Sequence, residues 1–499
     1  MTFNSWQFLI FLPVVVFLYY IFPHKLRWLV LLIASYYAYM SWNPWLVFLI
    51  LATTIVSYVS GLLMNKVQKK WLKKLLLAVT IIVCLGILIY FKYFNFLLSS
   101  VISFLNLFSM NLHSVSLDII LPIGISFYTF QTLSYVIDVY RGKFEPEKHF
   151  GYFALFVSFF PQLVAGPIER PEKLLPQFKE KHTFNKEDFI CGLQLLATGF
   201  FRKCVVADLA GVFVNHVYSD LANATSLAML VSGALFMLQL YCDFGGYSEI
   251  AAGAARLMGI KLSINFYKPF KEPSIQKSMR YWHMTLTSWF TDYVYIPLGG
   301  NRKGKVRQII NVFIVYMLCG LWHGANWTFV LWGLFIATIM SIENAFKKPI
   351  RKFAANHNIN YHKPWINMIR RVFIFLLLVL STFFFRAQSI SDIGLIYHQL
   401  FTKVGFGHEY FMSTLTSLNM KVLDIIEIAL VLVVMLKLYD LAYDKPLVDI
   451  NVEQNNERMI AKKTYAKTLI LSLMVLTIAL GWFMLISSDA TSAFVYFQF

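Results

Sequence analysis

The sequence has little charge for its length. Charged residues make up 14% of the 499 positions, whereas hydrophobic residues make up 58% and aromatic residues 17%. A soluble chain of this composition would carry more apolar surface than its core can bury. The scarcity of charge therefore excludes an ordinary soluble domain and predicts a polytopic integral membrane protein.

Cysteine and the common cofactor motifs are also scarce. No two of the five cysteines have the spacing of a metal-ligand pair. The chain lacks an HExxH zinc motif, a Walker loop, the glycine pattern of a Rossmann fold and a nucleophile elbow. We therefore expect no metal site and no bound cofactor, and we assign packing roles to the cysteines, which are Cys84, Cys191, Cys204, Cys242 and Cys319.

Long uncharged apolar runs are what the chain has in abundance. Several reach the ~20 residues that an α-helix needs to cross a bilayer, which predicts an all-α fold. The first run lacks a basic segment in front of it, so we interpret it as a span and not as a signal peptide. The runs are residues 3–22, 28–65, 75–91, 119–137, 221–242, 308–342, 372–385 and 468–488.

Positive charge is concentrated in the loops. The formal net charge is +18, but Lys and Arg fall between the apolar runs, so a positive-inside orientation explains them better than nucleic-acid binding. Residues 24–27 carry two basic residues and residues 66–74 carry five, whereas residues 41–44 and 95–118 carry none. This alternation predicts a multi-pass protein with its N-terminus and C-terminus outside.

Two apolar stretches are expected to enter the membrane only part-way. Residues 150–168 are interrupted by Pro161, Gly166 and Pro167, residues 282–300 are rich in aromatic side chains, and basic residues flank both stretches on each side. A single crossing would place one basic flank outside, so re-entrant elements around a cavity open to the cytoplasm fit better.

The remaining segments predict one membrane domain over residues 1–499. Its parts are N-terminal helices (1–118), a core (119–345) and C-terminal helices (346–499). The run 28–65 must form two helices because Asn43-Pro44 is a turn signal. Residues 386–421 are predicted to be irregular, and two helices separated by a polar loop at 437–467 follow.

His323 stands near the middle of the run 308–342. If the run is helical, ~24 Å of helix separates His323 from Arg307 and ~30 Å separates it from Glu343. Basic residues flank the run on both sides, which predicts either two short spans or a deep hairpin with His323 near the apex. An ionisable group at such depth often marks a functional site, but a neutral histidine hydrogen-bonded between helices remains an alternative.

A second histidine stands at the start of the stretch 282–300. His283 lies three positions after Arg280. An imidazole with a pKa near 6.5 can take a proton from a hydroxyl or a thiol at physiological pH. Two such histidines would serve group transfer without a metal, and a proton-coupled transporter could use them equally well.

Two carboxylates lie next to a pair of glycines. Asp243 and Glu249 would either line a polar chamber or orient a histidine. Alternatively, they would form an ion pair with Arg256, and we favour this structural role. Gly245 and Gly246 between them would permit close approach of another backbone.

Five short motifs occur in order along the chain. Together they resemble the membrane-bound O-acyltransferase superfamily, and more narrowly its bacterial branch that O-acetylates exported polysaccharides such as alginate, cellulose and peptidoglycan. The related branch that loads D-alanine onto teichoic acid shares them. The motifs are LPIGISFYTFQ (121–131), FPQLVAGPI (160–168), YCDFGGYS (241–248), RYWH (280–283) and LWHGA (321–325).

The resemblance implies a fold and a set of site residues. The fold is a ring of membrane helices in which a cytoplasmic funnel and an outer cavity meet at a catalytic histidine. The histidine of the Trp-His-Gly motif is His323, and the second family histidine matches His283, which we interpret as an orienting group or as part of the donor path. The candidate substrate-binding residues are Trp322, Arg280, Asp243, Tyr247 and Asn326.

The resulting hypothesis is acyl transfer across a bacterial plasma membrane. An acyl group, in the first instance acetyl, would pass from a cytoplasmic thioester such as acetyl-CoA to a hydroxyl of an exported polysaccharide, with His323 as general base. An extracytoplasmic acyltransferase partner is implied, and membrane lipid surrounds the chain. Nearby basic residues would attract donor phosphates or an acidic carrier protein, although the positive-inside pattern explains them equally; they are Lys268, Lys271, Arg280 and Arg302.

Three alternatives remain open from the sequence. Within the class, D-alanine or another acyl group would pass from an acyl carrier protein to teichoic acid, or the acceptor would be a lipid. Outside the class, the chain would be a proton-coupled transporter, although we see no internal inverted repeat of the kind that transporters often show.

Overall fold

The protein is described by a computed structural model. It describes residues 1–113, 116–357, 359–360 and 363–443, with side chains up to residue 435. Every regular element in this part is helical, which confirms the predicted all-α fold. Short π-helical segments at Ile89–Tyr93, Phe201–Ala207 and Thr291–Tyr295 interrupt or extend the α-helices.

Twenty α-helices make up the described part. They are α1 (Trp6–Ile21), α2 (His24–Met40), α3 (Val47–Lys66), α4 (Lys70–Leu88), α5 (Phe94–Asn106), α6 (Ile125–Tyr140), α7 (Phe150–Ser158), α8 (Phe160–Leu163), α9 (Pro171–Lys179), α10 (Lys186–Phe200), α11 (Asp208–Ser219), α12 (Ser226–Arg256), α13 (Ile275–Arg280), α14 (Met284–Phe290), α15 (Lys305–His323), α16 (Trp327–Asn356), α17 (Pro364–Arg386), α18 (Ile390–Thr402), α19 (His408–Leu418) and α20 (Val422–Tyr443).

Seven helical segments of the described part are long and apolar enough to cross a membrane. This result agrees with a multi-pass membrane protein. The first apolar run forms only the 16-residue helix α1, which contains Pro13. The seven segments are Pro44–Lys66, Lys70–Asn106, Lys186–Ser219, Ser226–Arg256, Lys305–His323, Trp327–Asn356 and Pro364–Arg386.

The break predicted in the run 28–65 is confirmed. Helix α2 ends at Met40, and a 3₁₀ turn at Pro44–Leu46 leads into α3. The side chain of Asn43 accepts a hydrogen bond from the backbone N–H of Trp45 and so caps this turn. The span predicted over residues 119–137 begins later than expected, because α6 starts at Ile125 after the left-handed residue Gly124.

The two stretches with basic flanks are broken into short pieces. Residues 150–168 form α7, of nine residues, and α8, of four. Nine helical residues span only ~14 Å, which is too short for a crossing. Residues 282–300 form α14 and the π-helical segment Thr291–Tyr295. Their entry into the membrane from the cytoplasmic side stays a prediction.

The prediction of an irregular region over residues 386–421 is wrong. Helices α18 and α19 occupy most of it. Ser389 and Asp392 form a capping box that starts α18, and Ile393 and Ile396 are buried on its inner face. The sequence interpretation overlooked this capping pattern. Helix α20 also extends into the predicted polar loop 437–467, whose remainder and the last predicted span, 468–488, lie outside the described residues.

The described helices pack as two compact units. The first contains Met1–Leu196 and Tyr247–Ser263, and the second contains Ala197–Gly246 and the described residues from Ile264 onward. Both candidate catalytic histidines belong to the second unit. The units do not follow the boundaries at residues 118 and 345, and the single membrane domain stays a prediction.

Helices α15 and α16 form a tightly packed pair within the second unit. A Cβ atom on Gly320 would collide with the carbonyl oxygen of Phe329, and one on Gly333 would collide with that of Tyr316. The two glycines therefore allow the backbones to approach closely. The run 308–342 thus contains two helices, and His323 ends the first of them. Whether the two helices are separate spans or one deep hairpin, the alternatives left by the sequence, stays a prediction.

Candidate active site

His323 is the last residue of α15. Gly324 then adopts an extended conformation, and Asn326 caps α16 by accepting a hydrogen bond from the backbone N–H of Thr328. The 19 residues of α15 place His323 ~27 Å from the helix start. The link between the two spans therefore holds the imidazole far from the charged end of the helix.

Aromatic rings surround the imidazole of His323. Its centroid lies 5.1 Å from Trp322, 5.3 Å from Trp332 and 5.1 Å from Phe385, all with edge-to-face geometry. Only 5% of the residue is exposed. The imidazole is therefore enclosed mainly by apolar rings.

Cys319 lies one helical turn before His323. Its Sγ is 3.9 Å from Nε2 of His323, so Nε2 is the ring nitrogen that faces Cys319. Both side chains line the same large cavity. The sequence interpretation gave Cys319 a packing role only, because nothing in its spacing indicated that it faces the site.

His283 is held by Asn265, a residue that the sequence interpretation did not single out. Nδ1 of His283 lies 3.3 Å from Oδ1 of Asn265, and the hydroxyl of Thr285 donates to the same oxygen at 2.6 Å. The backbone N–H of Met284 donates to the carbonyl of Asn265 at 2.8 Å. Because an amide oxygen only accepts, this arrangement favours the tautomer with the proton on Nδ1.

The backbone of His283 is also unusual. Its φ of 45° lies in the left-handed region, where a non-glycine residue is strained, and the residue is the N-cap that precedes α14. Burial, and secondarily the nearby His323, lower the pKa of His283 well below its ordinary value. His283 is therefore neutral at physiological pH.

Trp322 connects the two histidines. Its ring lies 5.6 Å from that of His283 and 5.1 Å from that of His323, both edge-to-face. The sequence prediction that these three residues belong to one site is consistent with this arrangement.

A large cavity opens beside both histidines. It holds about 1500 Å³ of space that water can enter, which exceeds the ~300–1,000 Å³ of typical small-molecule sites. Five basic and two acidic side chains line it, so its wall carries net positive charge. These are Lys277, Arg280, Lys347, Arg351 and Arg370, with Asp292 and Glu343.

A small cavity adjoins the large one. It holds about 30 Å³ of space that water can enter. His323, Met279, Trp282 and Trp332 line both cavities, so the imidazole stands where a large chamber meets a small one. Such a junction can place a small reacting group next to a base while the rest of its carrier occupies the larger space.

Asp243 lies in a buried ion pair away from these cavities. Nζ of Lys203 is 2.6 Å from Asp243 and 2.9 Å from Asp208. Arg256, the partner considered in the sequence analysis, instead pairs with Asp188 at 2.6 Å. The structural role favoured for Asp243 fits this geometry, with a different partner. Gly246 permits the predicted close approach, because its Cβ would lie 2.6 Å from the carbonyl of Gly199.

The other candidate substrate-binding residues divide into two groups. Arg280 lines the large cavity, whereas Lys268, Lys271 and Arg302 are not among its lining residues. Asn326 caps α16 and donates to the carbonyl of Gln388 at 2.8 Å. Tyr247 belongs to the first unit, where its ring stacks 4.3 Å from that of Phe3. The geometry thus brings together His323, His283, Trp322 and Arg280.

The fold and the site define a class of protein. A multi-pass membrane protein whose described part is all-helical carries one buried histidine, His323, at the junction of two cavities and a second, His283, on the wall of the larger cavity. These features fit a membrane enzyme for group transfer.

Comparison with known proteins identifies the family. Residues 147–385 match the model of the membrane-bound O-acyltransferase family, MBOAT. The chain is 34% identical, over the full length of both chains, to a probable alginate O-acetylase AlgI of Pseudomonas putida. The chain therefore belongs to the membrane-bound O-acyltransferase family and is an O-acyltransferase, which removes the transporter alternative.

Two further relatives differ in their named acceptors. A peptidoglycan O-acetyltransferase of Helicobacter pylori is 33% identical over 73% of this chain and 71% of its own length. A teichoic acid D-alanyltransferase of Bacillus subtilis is 28% identical over 46% of this chain and 61% of its own length. The similarity to O-acetylating relatives is thus more extensive than the similarity to this D-alanylating one.

Proposed function

We propose that the protein transfers acetyl groups from cytoplasmic acetyl-CoA to a hydroxyl outside a bacterial plasma membrane. The acceptor is an exported polysaccharide, or a partner acyltransferase that passes the group on to it. The observation that carries the proposal is the position of His323, which lines both the large basic cavity and the small apolar one. The full-length similarity to an alginate O-acetylase supports acetyl as the group and a polysaccharide as the acceptor.

The reaction needs a general base that accepts the hydroxyl proton and then donates it to the leaving group. Nε2 of His323 accepts the proton of the acceptor hydroxyl while the oxygen attacks the thioester carbonyl. The tetrahedral intermediate then collapses, the carbon–sulfur bond breaks, and the imidazolium returns the proton to the leaving thiolate. The products are an ester and a free thiol, and such a base contributes ~10²–10⁴-fold in rate.

In this mechanism, neutral His283 orients the substrate through a hydrogen bond. It does not act as a second general base. Its Nδ1 faces Asn265, and its Nε2 is free of a proton in the favoured tautomer. A neutral acceptor nitrogen beside the donor path can receive a hydrogen bond from the substrate and orient it.

The large cavity is proposed to hold the donor. Acetyl-CoA is a long, phosphorylated thioester, and the five basic side chains attract phosphate more strongly than the two acidic ones repel it. Lys277 and Arg280 lie on α13, and Lys347 and Arg351 lie on α16, so two helices contribute to this positive wall.

The test measures donor use by the purified protein. We expect labelled acetyl-CoA alone, without a carrier protein, to support hydrolysis or transfer. Lys347→Glu together with Arg351→Glu should raise the KM for acetyl-CoA about tenfold or more, and the effect should shrink as salt rises. Lys348→Glu with Lys352→Glu is the matched control, because these residues are on the same helix but are not among those lining the cavity. Transfer only from an acyl or D-alanyl carrier protein would contradict the acetyl-CoA proposal.

The acceptor side has its own test. Cells that lack this protein should lose O-acetyl groups from one surface polysaccharide and regain them with the wild-type chain. Loss of D-alanine esters from teichoic acid with unchanged polysaccharide acetylation would contradict the proposed acceptor.

A further inference from the structure

The small cavity next to His323 has a mostly apolar wall. Met279, Trp282, Trp332 and Phe385 form much of it, and three hydroxyl side chains complete it. The space that water can enter, about 30 Å³, has room for on the order of two water molecules. A two-carbon acyl group has a similar bulk, and we expect a longer acyl chain to fit only if the wall moves.

Two of the three hydroxyls are already engaged by the backbone. Ser381 donates to the carbonyl of Leu378 at 2.7 Å, and Thr382 donates to that of Val379 at 2.6 Å. These bonds are the ordinary way in which a helical serine or threonine satisfies its hydroxyl. Neither group has its proton available for a molecule in the cavity.

Ser278 differs from both. Only 1% of the residue is exposed, and within the described residues its Oγ has no hydrogen-bond partner. It lies on α13, whose inner face also carries the buried Ile275 and Met279. A buried hydroxyl without a partner is destabilising, and Ser278 lines the small cavity, so a molecule bound there could supply the missing partner.

We propose that the small cavity is the acyl pocket of the enzyme and that the hydroxyl of Ser278 donates a hydrogen bond to the acyl carbonyl oxygen of the donor. This inference rests on the proposed function, in which a thioester reacts at His323. The methyl group of an acetyl donor occupies the apolar part of the cavity, and the thioester sulfur continues into the large cavity through the residues that the two share.

The hydrogen bond has a chemical role. As the acceptor oxygen attacks, the carbonyl oxygen gains negative charge, so a donor aimed at it binds the transition state more tightly than the ground state. No bond to Ser278 forms or breaks. Ser278 therefore contacts the substrate and polarises the carbonyl, while His323 handles the proton.

The first test substitutes the hydroxyl. Ser278→Ala should lower kcat with acetyl-CoA by about 10- to 100-fold and change KM little, because the bond strengthens in the transition state. The melting temperature should stay equal or rise, since the variant removes a buried hydroxyl without a partner. The matched control is Ser134→Ala, which removes a buried hydroxyl of the first unit that donates to the carbonyl of Gln131.

The second test enlarges the cavity. Met279→Ala should raise the rate with butyryl-CoA relative to acetyl-CoA about tenfold or more, because the added space accepts two further methylenes. The wild-type chain should prefer acetyl-CoA over propionyl-CoA and butyryl-CoA.

The outcomes separate this inference from the proposed function. A wild-type chain that uses no acyl-CoA contradicts the proposed function itself. A wild-type chain that uses acetyl-CoA, with Ser278→Ala unchanged in kcat, overturns the role of Ser278 alone. Loss of activity with a lowered melting temperature also overturns it, because packing would then explain the loss. Unchanged chain-length preference in a stably folded Met279→Ala overturns the acyl pocket.

Discussion

Nδ1 of His283 lies 3.3 Å from the amide oxygen of Asn265, eighteen positions earlier in the chain. Because that oxygen can only accept, the bond holds the proton on Nδ1 and leaves Nε2 as an acceptor. Asn265 also accepts from the backbone of Met284, so it fixes both the ring and the start of α14. We therefore assign Asn265 as a positioning residue for His283.

Substitution of Asn265 should change activity through His283. Asn265→Asp places a carboxylate next to the ring, which raises the pKa of His283 towards the charged form. The rate of transfer should then fall on the acidic side of the pH–rate profile, and in the variant this fall should begin at a higher pH than in the wild-type chain. Asn265→Ala should lower kcat about tenfold without this shift. A pH–rate profile for each variant checks the prediction, and identical profiles for wild type and Asn265→Asp would contradict the positioning role.

Asp243 should couple energetically to Lys203 and not to Arg256. Lys203 and Asp243 are almost fully buried, and their charged atoms lie 2.6 Å apart. Removal of one charge leaves the other buried, so Asp243→Asn should destabilise the protein by on the order of 3 kcal/mol. Asp208 remains as a second partner of Lys203 and limits the loss.

A double-mutant cycle measures this coupling. Thermal unfolding in detergent of Asp243→Asn, Lys203→Met and the double variant should give a large interaction energy. The same cycle with Arg256→Gln should give none, because Arg256 pairs with Asp188. Additive effects of the Asp243 and Lys203 substitutions would contradict the ion pair.

Glu169 should make the stability depend on pH. The side chain is 1% exposed and accepts hydrogen bonds from the backbone N–H and the hydroxyl of Ser263. Burial outweighs these bonds and raises the pKa of Glu169 to about 7. The folded chain therefore binds a proton that the unfolded chain has released between pH 4.5 and about 7. Its stabilising contribution is complete below that window and is lost as the pH rises through it.

Glu169→Gln mimics the protonated side chain and should remove this dependence. The melting temperature of the variant should match that of the wild-type chain at pH 5 and exceed it at pH 8. If the difference in melting temperature between the wild-type chain and the variant is the same at pH 5 and pH 8, Glu169 does not titrate in this window.

Motif and depth together indicated His323 as a candidate site residue. The Trp-His-Gly motif and the charge pattern predicted His323 near the apex of two short spans or a deep hairpin, and the structure places it at the end of α15, where the link to α16 begins. Asn265 and Ser278 were missed because neither belongs to a charged or histidine-containing pattern. Their contribution arises from a loop and a short helix that bring them beside residues distant in sequence.

The same limit explains the other differences. The positions of basic residues in the sequence could not show which of them line the large cavity. Lys347 and Arg351 line it because of the orientation of α16 about its axis. Asp243 was assigned Arg256 as an alternative partner because both lie near one glycine pair, whereas the buried Lys203 comes forty positions earlier. Such pairings follow from helix packing and leave no local signal.

The imidazole of His323 is proposed to be the base for acyl transfer. The direct measurement is the rate of acetyl transfer from acetyl-CoA to the acceptor polymer by membranes that contain equal amounts of folded protein. His323→Ala and His323→Gln should both lose at least ~10²-fold in rate. The glutamine variant keeps a polar side chain of similar size, so a loss shared by both variants is a loss of the base. His357→Ala, which changes an exposed histidine at the end of α16, should keep the wild-type rate. Acetyl transfer retained by correctly folded His323→Gln would contradict the account.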